Sequence, residues 1–152
     1  MSKYKIQLDL PGAWDKEEST YIECDGTEVC HIECHLSDDK AQKDLAIVEL
    51  YAGKMPADTT AEDEAFANYV ETVGFDENDP EDMDPIIKWP FMGKSAFGFE
   101  ALCEDESPMR LMCLEIKKDY LCIMNICADS DERLAEVIQL VEKHLRCKTK
   151  EQ

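Results

Sequence analysis

Residues 95–127, SAFGFEALCEDESPMRLMCLEIKKDYLCIMNIC, contain the apolar runs that decide the fold of this chain. Each run is rich in apolar side chains and is bounded by a short polar link. Links of this length join antiparallel neighbours, so the stretch predicts a three-stranded meander. The predicted strands are 95–103, 110–116 and 120–127.

Two helices are predicted on either side of this meander. The first has a capping signature at Thr59 and Glu62, and we expect it to stop at Gly74. The second starts at Asp129 or Ser130 and runs to about Arg146. It carries an apolar stripe, acidic residues in its first turn and basic residues in its last turn, as the helix dipole favours.

Alternating apolar and polar residues predict further strands toward the N-terminus. These strands are 4–10, 20–24 and 28–36, and Trp14 is expected to pack back on the sheet. Residues 45–51 are apolar on both sides and partly β-branched, which predicts a strand covered on both faces. The second and third form a hairpin whose three-residue turn contains Asp25-Gly26. One hairpin face then carries Ile22, Cys24, Cys30, Ile32, Cys34 and Leu36, and the other carries Tyr21, Glu23, Val29, His31, Glu33 and His35.

The segment between the first helix and the meander is expected to be irregular. Residues 76–92 are acidic at first and contain three prolines, which exclude a long helix or a central strand. Residues 37–44 are predicted to form a second polar loop. The order of elements predicts a single α+β domain, with one antiparallel sheet of six to seven strands and helices packed on it.

Charge excludes several classes of function. The 152 residues include 35 acidic and 16 basic ones, for a net charge of −19. Such a chain cannot neutralise phosphates, so neither nucleic acid nor an anionic membrane is an expected partner. It shows no signal peptide and no membrane-length apolar run, so we expect a cytoplasmic protein whose eight cysteines are free thiols.

The chain also resembles a known superfamily at three places. The strand, proline, glycine and tryptophan of residues 6–14, the Gly-x-x-Ala entry at 93–99, and the closing strand and helix from Tyr120 are similar to the PsbP-like, Ran-binding Mog superfamily. The resemblance implies an α/β/α sandwich in a small bacterial family of unknown function. Related members serve as interaction or accessory modules, which implies a non-enzymatic role.

The predicted strand 28–36 carries a candidate metal site. His31, Glu33 and His35 lie at alternate positions and share a face, with neighbours about 6.6 Å apart. A His-Glu pair at this spacing can chelate Zn²⁺ or Ni²⁺ if another strand supplies a third ligand. Cys30 and Cys34 lie about 13 Å apart on such a strand and cannot share an ion. The alternative interpretation is a solvated polar face.

The candidate partner site is the proline-bounded segment 85–92. It contains Trp89 and Phe91, which either close the core or form an exposed apolar patch that binds an unknown protein partner. No catalytic motif is present, so we expect neither an enzyme nor a cofactor. The sequence therefore predicts an interaction module, with a small-ligand or metal-binding domain as the alternative.

Overall fold

The computed structural model describes residues 4–38, 40, 43–72, 86–103 and 105–149. The elements in these residues are, in chain order, β1 (Tyr4–Leu8), β2 (Trp14–Ile22), β3 (Glu28–Asp38), β4 (Lys43–Lys54), α1 (Ala61–Thr72), β5 (Ile87–Phe91), β6 (Lys94–Leu102), β7 (Pro108–Lys117), β8 (Tyr120–Ala128), α2 (Asp131–His144) and β9 (Leu145–Thr149).

Strands β2 to β8 form one antiparallel sheet. Its order is β2-β3-β4-β8-β7-β6-β5. After β4 the chain crosses to β5 at the opposite edge of the sheet and returns through β6 and β7 to β8, which pairs with β4. Seven strands in one antiparallel sheet with two helices confirm the predicted α+β class. The predicted strands included β1, which lies outside this sheet, and did not include β5. The predicted meander is also confirmed, as β6, β7 and β8.

The predicted first strand exists but lies outside this sheet. Strand β1 pairs with β9 in a separate two-stranded sheet, in which Ile6 lies opposite Cys147 and Leu8 opposite Leu145. Strand β9 was not predicted from the sequence. Its residues are mostly polar, and its only strand partner lies at the other end of the chain, so no local pattern marks it.

The two faces of the large sheet carry separate apolar clusters. Consecutive residues of a strand point to opposite faces, so Met112 and Met124 pack with α2, whereas Leu111 and Cys113 pack with α1. Helix α2 inserts Leu134, Val137, Ile138 and Val141, and the β1–β9 pair adds Ile6, Leu8 and Leu145 to the same cluster. Helix α1 buries Ala61 and Ala65, packs Tyr69 against the edge of the Phe99 ring, and lies on β6 and β7.

The hairpin of β2 and β3 has the predicted turn. Glu23 N donates to Thr27 O at 2.8 Å, and Gly26 has a φ of +88° in the left-handed region. The predicted place of Cys24 on a buried face is wrong, because Cys24 belongs to this turn and is exposed. Ile22 shares the predicted face but is 63% exposed, since β2 is the edge of the sheet.

The predicted helices are shifted by one or two residues. Helix α1 is capped by Thr60, whose Oγ1 accepts from Asp63 N at 3.1 Å, so the predicted cap at Thr59 is wrong by one residue. The predicted stop at Gly74 lies outside the described residues. Helix α2 is capped by Ser130 as predicted, but it ends at His144 because the chain becomes extended and enters β9.

Two segments predicted as irregular contain strand. Residues 87–91 form β5 and include Pro90, which is tolerated because β5 is an edge strand. The remainder of that segment, 76–85, lies outside the described residues. In the predicted loop 37–44, β3 continues to Asp38 and β4 begins at Lys43, so polar composition there marks solvated strand ends.

Candidate metal centre

A row of three glutamates crosses one face of the sheet. Glu17 on β2 lies directly opposite Glu33 on β3, and Glu33 lies directly opposite Glu49 on β4. Directly opposite side chains have Cβ atoms about 4.5–5.5 Å apart, and like charges in such positions repel. The row lies on the same face of the sheet as α1, which covers β6 and β7. In β2, β3, β4 and β8, the pairing register places no lysine or arginine side chain on this face.

Three side chains of this face converge on one point. One ligand atom from each of His31, Glu33 and Glu49 lies within 4.8 Å of the other two. His31 Nε2 lies 3.2 Å from Glu49 Oε2. The imidazole is stacked on the ring of Tyr51, with centroids 4.5 Å apart and planes 13° apart. Tyr51 therefore orients His31 toward the carboxylates.

His35 lies beside this cluster and contacts Glu33. Its Nε2 lies 3.1 Å from Glu33 Oε2, and its Nδ1 lies 3.3 Å from Asp44 Oδ2. Ser37 Oγ donates to Asp44 Oδ1 at 2.9 Å, which fixes that carboxylate in turn. His35 is therefore a neighbour of the converging set and not a part of it.

The expected set of His31, Glu33 and His35 is thus brought together only in part. Residues 31 and 35 are about 13 Å apart along an extended strand, so they approach Glu33 from opposite sides. Glu49, on the adjacent strand, reaches the same point as His31 and Glu33. The sequence analysis missed Glu49, and the signal that could have found it is the pairing register of β3 with β4.

The charges of this face shift the pKa values of its groups. The hydrogen bond from His35 lowers the pKa of Glu33. Burial works to lower the pKa of His35, but its hydrogen bonds to Glu33 and Asp44 outweigh burial and raise it. Burial, with the neighbouring Glu49 carboxylate, raises the pKa of Tyr51 to about 12. The side chains of His31, Glu33 and Glu49 are about a quarter exposed, so an ion can reach them from solvent.

The expected partner-binding residues lie elsewhere, on the face that packs with α2. Phe91 is buried in the core with 2% of its surface exposed. Trp89 is half-buried, and the Arg110 guanidinium lies over its ring at 4.2 Å. Met92 N donates to Glu142 Oε2 of α2 at 2.7 Å and ties this corner of the sheet to the helix. Phe91 therefore closes the core, and Trp89 packs half-buried against it.

Comparison of the chain with protein-family models, with curated proteins and with solved structures gave no significant match. Neither of the helices that the structure describes is long and apolar enough to cross a membrane.

Proposed function

We propose that this protein binds a divalent transition-metal ion, of the Zn²⁺ or Ni²⁺ class, through His31, Glu33 and Glu49. The observation that carries the proposal is the convergence of one imidazole and two carboxylates on a sheet face without lysine or arginine in β2, β3, β4 and β8. The proposed role is binding and not catalysis, because the described residues around the cluster include no nucleophile paired with a base.

The geometry supports coordination after a small adjustment. Bonds of about 2.0–2.2 Å to imidazole and carboxylate place tetrahedral ligand atoms about 3.4 Å apart. The His31 to Glu49 separation of 3.2 Å already has this length. The remaining separations are at most 4.8 Å, so a movement of about 1 Å, available to rotation of a Glu side chain, closes the site.

The charge arrangement favours a cation in the same position. Glu17, Glu33 and Glu49 repel one another in the row, and His35 offsets only part of that charge, since it contacts Glu33 from one side. A divalent ion between Glu33 and Glu49 converts the repulsion into two favourable contacts. Imidazole and carboxylate together are ligands that Zn²⁺ and Ni²⁺ accept.

The test is a calorimetric titration of tag-free, metal-free protein with Ni²⁺ and with Zn²⁺. We expect one ion per chain at this site, and at least a tenfold loss of affinity in His31→Gln and in Glu49→Gln. The loss should be at least this large, because removal of a residue that only hydrogen-bonds to a metal ligand already lowers metal affinity about 10- to 100-fold. Glu136→Gln, an equal charge change on the exposed side of α2, is the matched control.

Two results would contradict the proposal. One is an absence of binding by folded wild-type protein at micromolar concentrations of both ions. The other is unchanged affinity in both His31→Gln and Glu49→Gln, which would place any bound ion elsewhere on this acidic chain.

The accessory role that the PsbP-like resemblance implies stays a prediction. The net charge of −19 favours a partner with a basic surface. Phe91 is buried and Trp89 is half-buried under Arg110, whereas His31, Glu33 and Glu49 converge, so the described residues give more support to a metal-binding role.

A further inference from the structure

A pair of thiols lies at the end of the sheet where β6 turns into β7. Cys103 Sγ and Cys127 Sγ are 3.7 Å apart, and both side chains are half-buried. Cys103 is fixed by the turn that follows β6, in which its N donates to Ser107 O at 2.8 Å and Glu106 N donates to its carbonyl at 2.9 Å. Cys127 is fixed by its place on β8.

The separation of the two sulfur atoms matches the edge of a tetrahedral thiolate site. Two Zn–S bonds of about 2.3 Å at the tetrahedral angle place the sulfur atoms about 3.8 Å apart. A disulfide would need them about 2.05 Å apart. The thiols are thus arranged for a shared ion, with no movement required.

We propose that Cys103 and Cys127 form a second metal site, which holds a thiophilic d¹⁰ ion of the Zn²⁺ or Cd²⁺ class. Binding forms two sulfur–metal bonds and releases the two thiol protons to solvent. Water completes the coordination. The inference is separate from the proposed function, because sulfur and not imidazole or carboxylate supplies the protein ligands.

The surroundings of the pair suit a cation. The thiols line an open cavity of about 700 Å³, whose charged lining residues are Asp44, Asp105, Asp129 and Lys43. The three carboxylates outnumber the one lysine of this cavity and raise the local concentration of cations.

The pair differs in burial from Cys24, Cys113 and Cys122. Cys113 and Cys122 are buried in the sheet, where burial is the main reason that their pKa values are raised. Cys24 is exposed in the β2–β3 turn. Cys24 is therefore the matched control, since it is accessible to ions and reagents but far from Cys103 in the sheet.

The experiment is a titration of the reduced full chain with Cd²⁺, followed by thiolate-to-metal charge-transfer absorption in the ultraviolet. We expect the band to saturate at one ion per chain in wild type and in Cys24→Ser. In Cys103→Ser and in Cys127→Ser the apparent affinity should fall at least about tenfold, because a single thiolate loses the advantage of a linked second ligand. Glu49→Gln should keep the band, which separates this site from the proposed function.

A measurement on wild type avoids any variant that fails to fold. Cd²⁺ should slow alkylation of Cys103 and Cys127 at least about tenfold, read by mass spectrometry, and should leave Cys24 unprotected. Equal alkylation with and without Cd²⁺ would overturn the inference. A band that persists in both folded serine variants would overturn it as well, since another thiol would then hold the ion.

Discussion

Substitution of Glu49 by glutamine should stabilise the metal-free protein and at the same time destroy its response to metal. The Glu33 and Glu49 ligand oxygens are at most 4.8 Å apart. Two unit charges at that distance repel by about 0.9 kcal/mol in water and about 3.5 kcal/mol at an effective dielectric constant of 20. Both side chains are about a quarter exposed, so solvent screening places the repulsion near the lower figure.

The assay is urea unfolding at pH 8 with a chelator present. Glutamine at residue 49 can keep the hydrogen bond with His31 Nε2. We therefore expect Glu49→Gln to raise the free energy of unfolding by about 1 kcal/mol. Glu136→Gln, with the same charge change on α2, should stay within about 0.5 kcal/mol of wild type.

When the ion is added, wild type should become the more stable of the two proteins. At a free Ni²⁺ concentration of about 100 times its dissociation constant, wild type should gain about 2.7 kcal/mol by mass action. Glu49→Gln should gain far less. A variant that is less stable than wild type in chelator would refute the charge argument, and an equal gain from Ni²⁺ in both proteins would refute the assignment of the ligands.

Three further predictions concern the fold and the pH dependence of the face. Gly98→Ala should destabilise by at least about 3 kcal/mol in urea unfolding, because the added Cβ would lie 1.7 Å from the backbone oxygen of Leu111 and would separate β6 from β7. Ser130→Ala should cost about 1 kcal/mol in the same assay by loss of the α2 cap. NMR titration in chelator should place the pKa of His35 above its ordinary value of about 6.5, and His35→Gln should lose less stability than wild type as the pH rises from about 6 to 8.

The sign of the last prediction follows from the raised pKa of His35. A raised folded-state pKa contributes stability below the unfolded value, and this contribution disappears as the pH rises through the folded value. An NMR pKa for His35 below 6.5 would contradict it. For Gly98→Ala the control is Gly93→Ala, whose added Cβ meets no atom within 4 Å and whose φ of +75° costs about 1 kcal/mol. Ser130→Ala within experimental error of wild type would contradict the cap.

Much of the fold could be predicted where the pattern is local. The apolar runs that became β6, β7 and β8 are bounded by short links, and the cap and stripe of α2 lie within a single helix. Strand β9 and its pairing with β1 could not be predicted, because that pairing joins the two ends of the chain. Pro90 suggested irregular structure, but an edge strand has no need of its missing N–H.

In the candidate sites, too, some features follow from local sequence and others from the pairing of distant segments. Alternation along one strand sets the common face of His31, Glu33 and His35, so the sequence by itself determined which side chains of β3 could bind an ion. Glu49 joins His31 and Glu33 only because β3 and β4 pair in one register, in which a slip of one residue would turn Glu49 to the other face. Likewise, Cys103 and Cys127 stand 24 residues apart in the chain. Only the tertiary structure could bring them together, because the packing of distant segments decides which residues become neighbours.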